Sequence, residues 1–200
     1  MELIKNILGG CELHNGDCLA VMDALIAEGV KVDAIITDPP YGTTRNQWDS
    51  IIPLDDMWER LKKIIKPNGA IALCAQTPFD KILGASNIEM LKYEWIWEKT
   101  QGTGHLNAKK MPLKNHENIL IFYNQLPLYN PQMREGKPYT CKSGVGSNNY
   151  GTQISVVTEN NGERYPLSVL NFNHCKNKIH PHAEASSTDG ISHQDLHPRG

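Results

Sequence analysis

VDAIITDPPY, residues 32–41, is the stretch on which the reading of this chain turns. Val32 to Thr37, apolar and β-branched apart from Asp33 and Ala34, has just enough length for a short apolar strand. Pro39 and Pro40 end it sharply, because neither can donate a backbone hydrogen bond and each restricts the residue before it. Upstream, CELHNGD (11–17) reads as a short strand closing in a turn. In the following CLAVMDALIAEG, Leu19, Met22, Leu25 and Ile26 fall at helical spacing and Gly29 supplies a stop. Downstream, DDMWERLKKIIK (55–66) has the period of an amphipathic helix. Asp55 and Asp56 lie at its start, Lys62, Lys63 and Lys66 at its end, and Pro67-Asn68-Gly69 is the expected stop. GAIALCAQ (69–76) follows as a buried strand, TPFDKILGAS (77–86) as a short helix, and YEWIWEK (93–99) and NILIFY (118–123) as two further strands. Alternation of this kind predicts an α/β sheet with helical crossovers.

Composition narrows the class. The chain has 200 residues, 40% of them hydrophobic and 21% charged, enough for one domain or a domain with an insertion and too apolar for global disorder. Twenty Lys and Arg against 22 Asp and Glu leave a net charge of −2, which excludes a uniformly basic coat but not a local basic groove. The N-terminus lacks the pattern of a signal peptide, and no apolar run approaches the length of a membrane span. Cys11, Cys18, Cys74, Cys141 and Cys175 form no CxxC pair and no zinc spacing, so reduced thiols, no metal site and a cytoplasmic setting are expected. Trp95 and Trp97 are expected to pack in the core.

The tetrapeptide Asp38-Pro39-Pro40-Tyr41 carries the chemistry. It arises by chance in about one chain in a thousand of this length. As plain structure it is a capped, proline-stiffened turn with Tyr41 as packing. Its place at a strand end argues for more, since ligands of open α/β sheets bind beyond the C-terminal ends of strands. A carboxylate and a carbonyl held side by side accept both hydrogens of an exocyclic amine, and a tyrosine offers a flat face to a base.

AIITDPPYG resembles the catalytic motif of the S-adenosylmethionine-dependent amino-methyltransferases of DNA. The resemblance continues in order through HNGDCLAVMDAL, PNGAIALCA, EWIWEK and KNHENILIFY to Ile179-His180-Pro181. It implies a Rossmann-like class I methyltransferase sheet of the permuted β-group, with the catalytic half first and the cofactor loop last. It further implies that Asp38 and the Pro39 carbonyl grip the N6 amine of adenine, with Pro40 stiffening the turn and Tyr41 stacking on the flipped base. Asp17, Asp38, Pro39, His180 and Pro181 would face S-adenosylmethionine. Asp17 reads equally as an Asx turn or helix cap, and His116-Glu117 as closing the sheet edge or as catalytic. The implied partner is double-stranded DNA with a flipped base, in a prokaryotic or phage setting. A homodimer and membership of a restriction-modification system are left open. N4-cytosine methylation and a catalytically dead DNA-binding remnant are the alternatives.

Charge placement agrees with a nucleic-acid partner. From Lys99 to His116 the chain carries Lys99, Lys109, Lys110 and Lys114 and no acid, so this glycine-bearing loop is either a solvated surface or a clamp on phosphates. Domain boundaries are expected at 1–123 for the catalytic half and 124–170 for a target-recognition insertion. Arg134, Lys137, Tyr139, Lys142 and Asn148-Asn149-Tyr150 belong to that insertion. Residues 171–181 begin the cofactor side, with SVLNFNHC (168–175) as one more strand. HAEASSTDGISHQDLHPRG (182–200) departs from the family, and no GxG cofactor loop occurs; Gly102/Gly104 and Gly144/Gly146 read as loop glycines. One back-translation of His182–His197, read from its second nucleotide, gives TQKPVALMEYLIKTYT, the continuation the resemblance implies. A shifted frame near His182 is therefore expected, leaving a disordered tail, an incomplete C-terminus, an exposed sheet edge, uncovered apolar helix faces and impaired catalysis by this chain alone.

Overall fold

A computed structural model describes residues 4–8, 10–44, 46, 49–142 and 155–172. In chain order the elements are β1 (Ile4–Leu8), β2 (Cys11–Asn15), α1 (Cys18–Ala27), β3 (Val32–Thr37), α2 (Leu54–Ile64), β4 (Ile65–Ala75), α3 (Phe79–Ser86), β5 (Leu91–Thr103) and β6 (Lys114–Phe122). Four short strands follow, β7 (Arg134–Glu135), β8 (Tyr139–Lys142), β9 (Val157–Asn160) and β10 (Glu163–Arg164), and then β11 (Val169–Phe172).

Five strands form one mixed sheet in the order β11-β5-β6-β4-β3. β3 and β4 are parallel, as are β11 and β5, while β6 runs antiparallel to both its neighbours. A parallel pair needs a crossover, and α2 supplies the one between β3 and β4. The period of two along the central strands then divides the core. Ile71, Leu73 and Ala75 of β4 join Leu120 and Phe122 of β6 against Met57, Trp58 and Leu61 of α2 and Phe79 and Leu83 of α3. The alternate residues Ala72, Ile119 and Ile121 pack with Trp95 and Trp97 in a second cluster. Both tryptophans are buried, as expected. The indole N–H of Trp58 donates to Ser86 Oγ at 2.8 Å, which joins α2 to α3 without leaving that polar atom unpaired.

The N-terminal part is less well covered. β1 and β2 form a separate antiparallel hairpin. α1 is apolar along much of its length yet has no buried residue; Met22 touches the margin of the core, and Arg60 of α2 grips Asp23 through its Nε at 2.8 Å and Nη2 at 2.9 Å. Among the described residues β3 pairs only with β4, and Ile36 is 46% exposed. Among the described residues, then, the outer edge of β3 carries no covering element, and the apolar face of α1 is left incompletely buried.

Three details differ from the sequence reading. β1 carries little sequence signal, because the five residues IKNIL (4–8) are too short to display a period. α2 ends at Ile64 and β4 begins at Ile65, so Pro67-Asn68-Gly69 lie inside a strand. Pro67 bars helix from Lys66, and the β3–β4 register shifts between Val32 and Ala34 to accommodate the irregular entry. Finally, residues 124–165 contain two short antiparallel ribbons, β7 with β10 and β8 with β9, where no periodicity was legible. They belong to a compact unit, Asn130–Leu167, distinct from the unit that carries the sheet. The tail 182–200, Cys175 and Asn148-Asn149-Tyr150 lie outside the described residues.

Candidate functional site

β3 delivers Asp38 directly off its C-terminal end, and Pro39 and Pro40 hold the turn that follows. Asp38, Pro39, Pro40 and Tyr41 line one cleft of about 390 Å³. Gln76, the residue after β4, and Glu117 of β6 form other parts of its wall. The cleft thus opens where the two parallel strands end, the position the topology of such sheets favours for ligands.

The loop after Tyr41 is tied down by a residue the sequence did not mark. Asp49 is buried and accepts from the backbone N–H of Gly42 at 2.8 Å and from that of Thr44. The hydrogen bonds from Thr44 and the neighbouring backbone hold its carboxyl below the ordinary range. Gly42 has φ of +67°, and a Cβ there would meet Ile51 Cγ1 at 2.9 Å, so only glycine suits the turn. Gln76 reaches the same loop, donating to Thr43 Oγ1 at 3.2 Å. The only sequence signal for Asp49 was an acid a few residues beyond a glycine, too common to read.

Tyr41 packs one ring face on Phe79, with centroids 5.6 Å apart and planes 28° off parallel, and its hydroxyl donates to Asp38. Burial and that bond to a carboxylate push the phenol well above its usual range. Asp38 is itself raised, first by burial of its carboxyl and further by the Glu117 charge. The Tyr41 hydroxyl and the Lys99 charge oppose this. The residue keeps exposed surface, so solvent screens part of each effect. Lys99 pairs with Glu117 and lies over the Trp97 ring, 4.7 Å from its centroid. Lys114 donates to Gln76 Oε1, and burial lowers its pKa. Beneath the rim, Asp80 accepts from Asn118 Nδ2 at 2.7 Å and Lys81 Nζ at 2.9 Å. Burial works to raise Asp80, but the Lys81 ammonium and the hydrogen bonds outweigh it and leave the pKa lowered.

The structure brings Asp38, Pro39, Pro40, Tyr41 and Glu117 to one place. Asp17 is the N-cap of α1, its Oδ1 accepting from Ala20 N–H at 3.0 Å, and it does not line this cleft. His116 is exposed. His180 and Pro181 lie outside the described residues. In the unit Asn130–Leu167, Arg134 is engaged with the Tyr165 carbonyl, and Arg164 lies 4.5 Å from the centroid of the Tyr139 ring. Lys137 and Lys142 are exposed. Cys11, Cys18 and Cys141 are free thiols. Among the described residues no helix is long and apolar enough to cross a membrane.

No protein-family model and no curated protein matches the chain. Solved structures do. The PvuII DNA methyltransferase (cytosine-N4-specific) superposes with a TM-score of 0.58 at 11% identity, over 92% of this chain and 69% of that one. The fold is therefore the Rossmann-like methyltransferase fold. M1.HpyAVI matches with a TM-score of 0.46 at 20% identity over 58% of this chain, and its complex with SAM with 0.45 at 21% over 57%. This chain spans 57% of the length of each of these two.

Proposed function

We propose that the cleft at the end of β3 is the target-amine site of an S-adenosylmethionine-dependent DNA methyltransferase acting on the N6 amine of adenine. The observation that carries this reading is the convergence of Asp38, Pro39 and Tyr41 in one cleft at the strand ends of a methyltransferase fold. Asp38 accepts one amine hydrogen and the Pro39 carbonyl the other. Held by two acceptors, the amine turns its lone pair away from the base ring and toward the methyl donor. Phe79 backs one face of Tyr41, so the ring presents a braced surface on which an extrahelical base stacks. For this grip Asp38 is ionised and its second oxygen stays with the Tyr41 hydroxyl.

The cleft suits the methyl donor in charge. Asp38 brings a carboxylate to its wall, which favours a sulfonium cation, while the Glu117 carboxylate is already paired with Lys99. When bound, S-adenosylmethionine supplies an electrophilic methyl group; Asp38, Pro39, His180 and Pro181 are the residues assigned to hold it, with Asp17 at the adenosine end. The unit Asn130–Leu167, within the insertion assigned to 124–170, reads the target sequence, and Lys109, Lys110, Lys137 and Lys142 contact phosphates.

Transfer of a labelled methyl group to mixed-sequence bacterial DNA tests the reading, followed by hydrolysis and identification of the base. Label in N6-methyladenine is expected from a version carrying TQKPVALMEYLIKTYT in place of residues 182–197, less or none from the chain as it stands, and Asp38→Ala should abolish it in either. Label in N4-methylcytosine would retain the site chemistry and correct the target base. Salt-sensitive DNA binding by a well-folded chain that transfers no label, even with TQKPVALMEYLIKTYT in place of residues 182–197, would leave a DNA-binding remnant.

A further inference from the structure

We infer that Leu106, at the tip of the finger between β5 and β6, is a wedge that enters the base stack of a DNA duplex where the target base has left it. The inference rests on the proposed function, since it names how the same site gains access to its base. All residues from Thr103 to Leu113 are exposed, so this segment projects from the sheet. It is nevertheless built rather than slack. Gly104 takes φ of +88°, His105–Asn107 form a 3₁₀ turn, and Met111 N–H returns to the Asn107 carbonyl at 3.1 Å. At its root Thr103 pairs with Lys114, and a Cβ on Gly102 would meet Leu113 Cβ at 2.9 Å, so the two arms lie close together.

The root belongs to the cleft. Lys114 donates to Gln76, and Glu117, three residues further along β6, lines the cleft wall with Gln76. Leu106 lies three residues beyond Thr103, within the 3₁₀ turn. Its side chain is fully exposed, and Met111, whose N–H closes the turn on Asn107, is 57% exposed. A single exposed leucine is ordinary on a protein surface. Here it caps an ordered turn flanked by Lys109 and Lys110, in a stretch with no acid from Lys99 to His116. Cations around an apolar tip match a polyanion that has an apolar interior. Apolar side chains used this way part a base step and occupy the space, while lysines hold the phosphates on either side.

The test is independent of the recognition sequence. Two fluorescein-labelled duplexes of one sequence are compared by anisotropy, one intact and one with a central abasic site that leaves a vacancy in the stack. The unsubstituted chain is expected to prefer the abasic duplex by about fivefold or more. Leu106→Ala should bring the preference close to unity while leaving affinity for the intact duplex within about twofold, and Leu106→Phe should keep the preference. A preference that survives Leu106→Ala, or none in the unsubstituted chain, would overturn the wedge and leave the methyltransferase reading standing. Failure to bind either duplex would overturn both.

Discussion

Asp38 stands between opposed influences. Burial and the Glu117 charge raise its pKa, and the Tyr41 hydroxyl and Lys99 lower it. The proposed grip needs the ionised form, so methyl transfer should fall on the acid side at a pH above the ~3.9 of an ordinary aspartate. Glu117→Gln removes a raising charge and should shift that limb to lower pH. Lys99→Met removes a lowering charge and should shift it to higher pH. The pH profile of kcat/KM reads both, and shifts in the same direction would contradict the arrangement. Asp80 carries the opposite sign. Its pKa is lowered in the folded chain, so it stabilises the fold above the unfolded carboxylate pKa, and this is lost as pH falls through the folded value. Asp80→Ala also strips the partner from buried Asn118 and should cost about 1–3 kcal/mol at neutral pH by urea unfolding, and less in acid. At this scale the motif residues were legible because each has a distinctive chemistry at a strand end. Asp49 and Gln76 were not, because their roles arise from contacts with the turn that only the folded chain creates.

The elements were legible where one period dominates. β3 has the span its residues predicted, and α2 differs from expectation only at its ends. The strong stripe of α2 is also where packing can be tested. Leu61 is buried against the sheet, and Leu61→Ala should cost about 2–5 kcal/mol by denaturant titration, with a loss under 1 kcal/mol indicating that the helix is not docked as described. The short ribbons β7–β10 escaped notice because two to four residues hold too little period to distinguish strand from loop. The turn after β3 has its own test. Gly42→Ala must adopt a positive φ and displace Ile51, so it should lower Tm and reduce methyl transfer together; an unchanged Tm would show that the turn is not held by Asp49.

At the scale of the molecule, the described residues cover the sheet well through β4 and β6 and poorly beyond β3. The apolar α1 and the edge presented by β3 expose surface that parallel strands ordinarily bury. Self-association that grows with concentration is expected, and Ile36→Lys should reduce it in light scattering, because a charge on an edge strand opposes strand pairing. Association unaffected by that change would place the contact elsewhere. The net charge of −2 does not argue against the proposed DNA partner, because the acid-free finger and its lysines are balanced by acids placed elsewhere along the chain. What decides the central claim is transfer of labelled methyl from S-adenosylmethionine to DNA, measured for the version carrying TQKPVALMEYLIKTYT in place of residues 182–197 and for Asp38→Ala in the same background. Label in N6-methyladenine that disappears with Asp38→Ala is the expected result. Label that persists in Asp38→Ala at the unsubstituted rate would contradict the assignment of this cleft as the site of transfer.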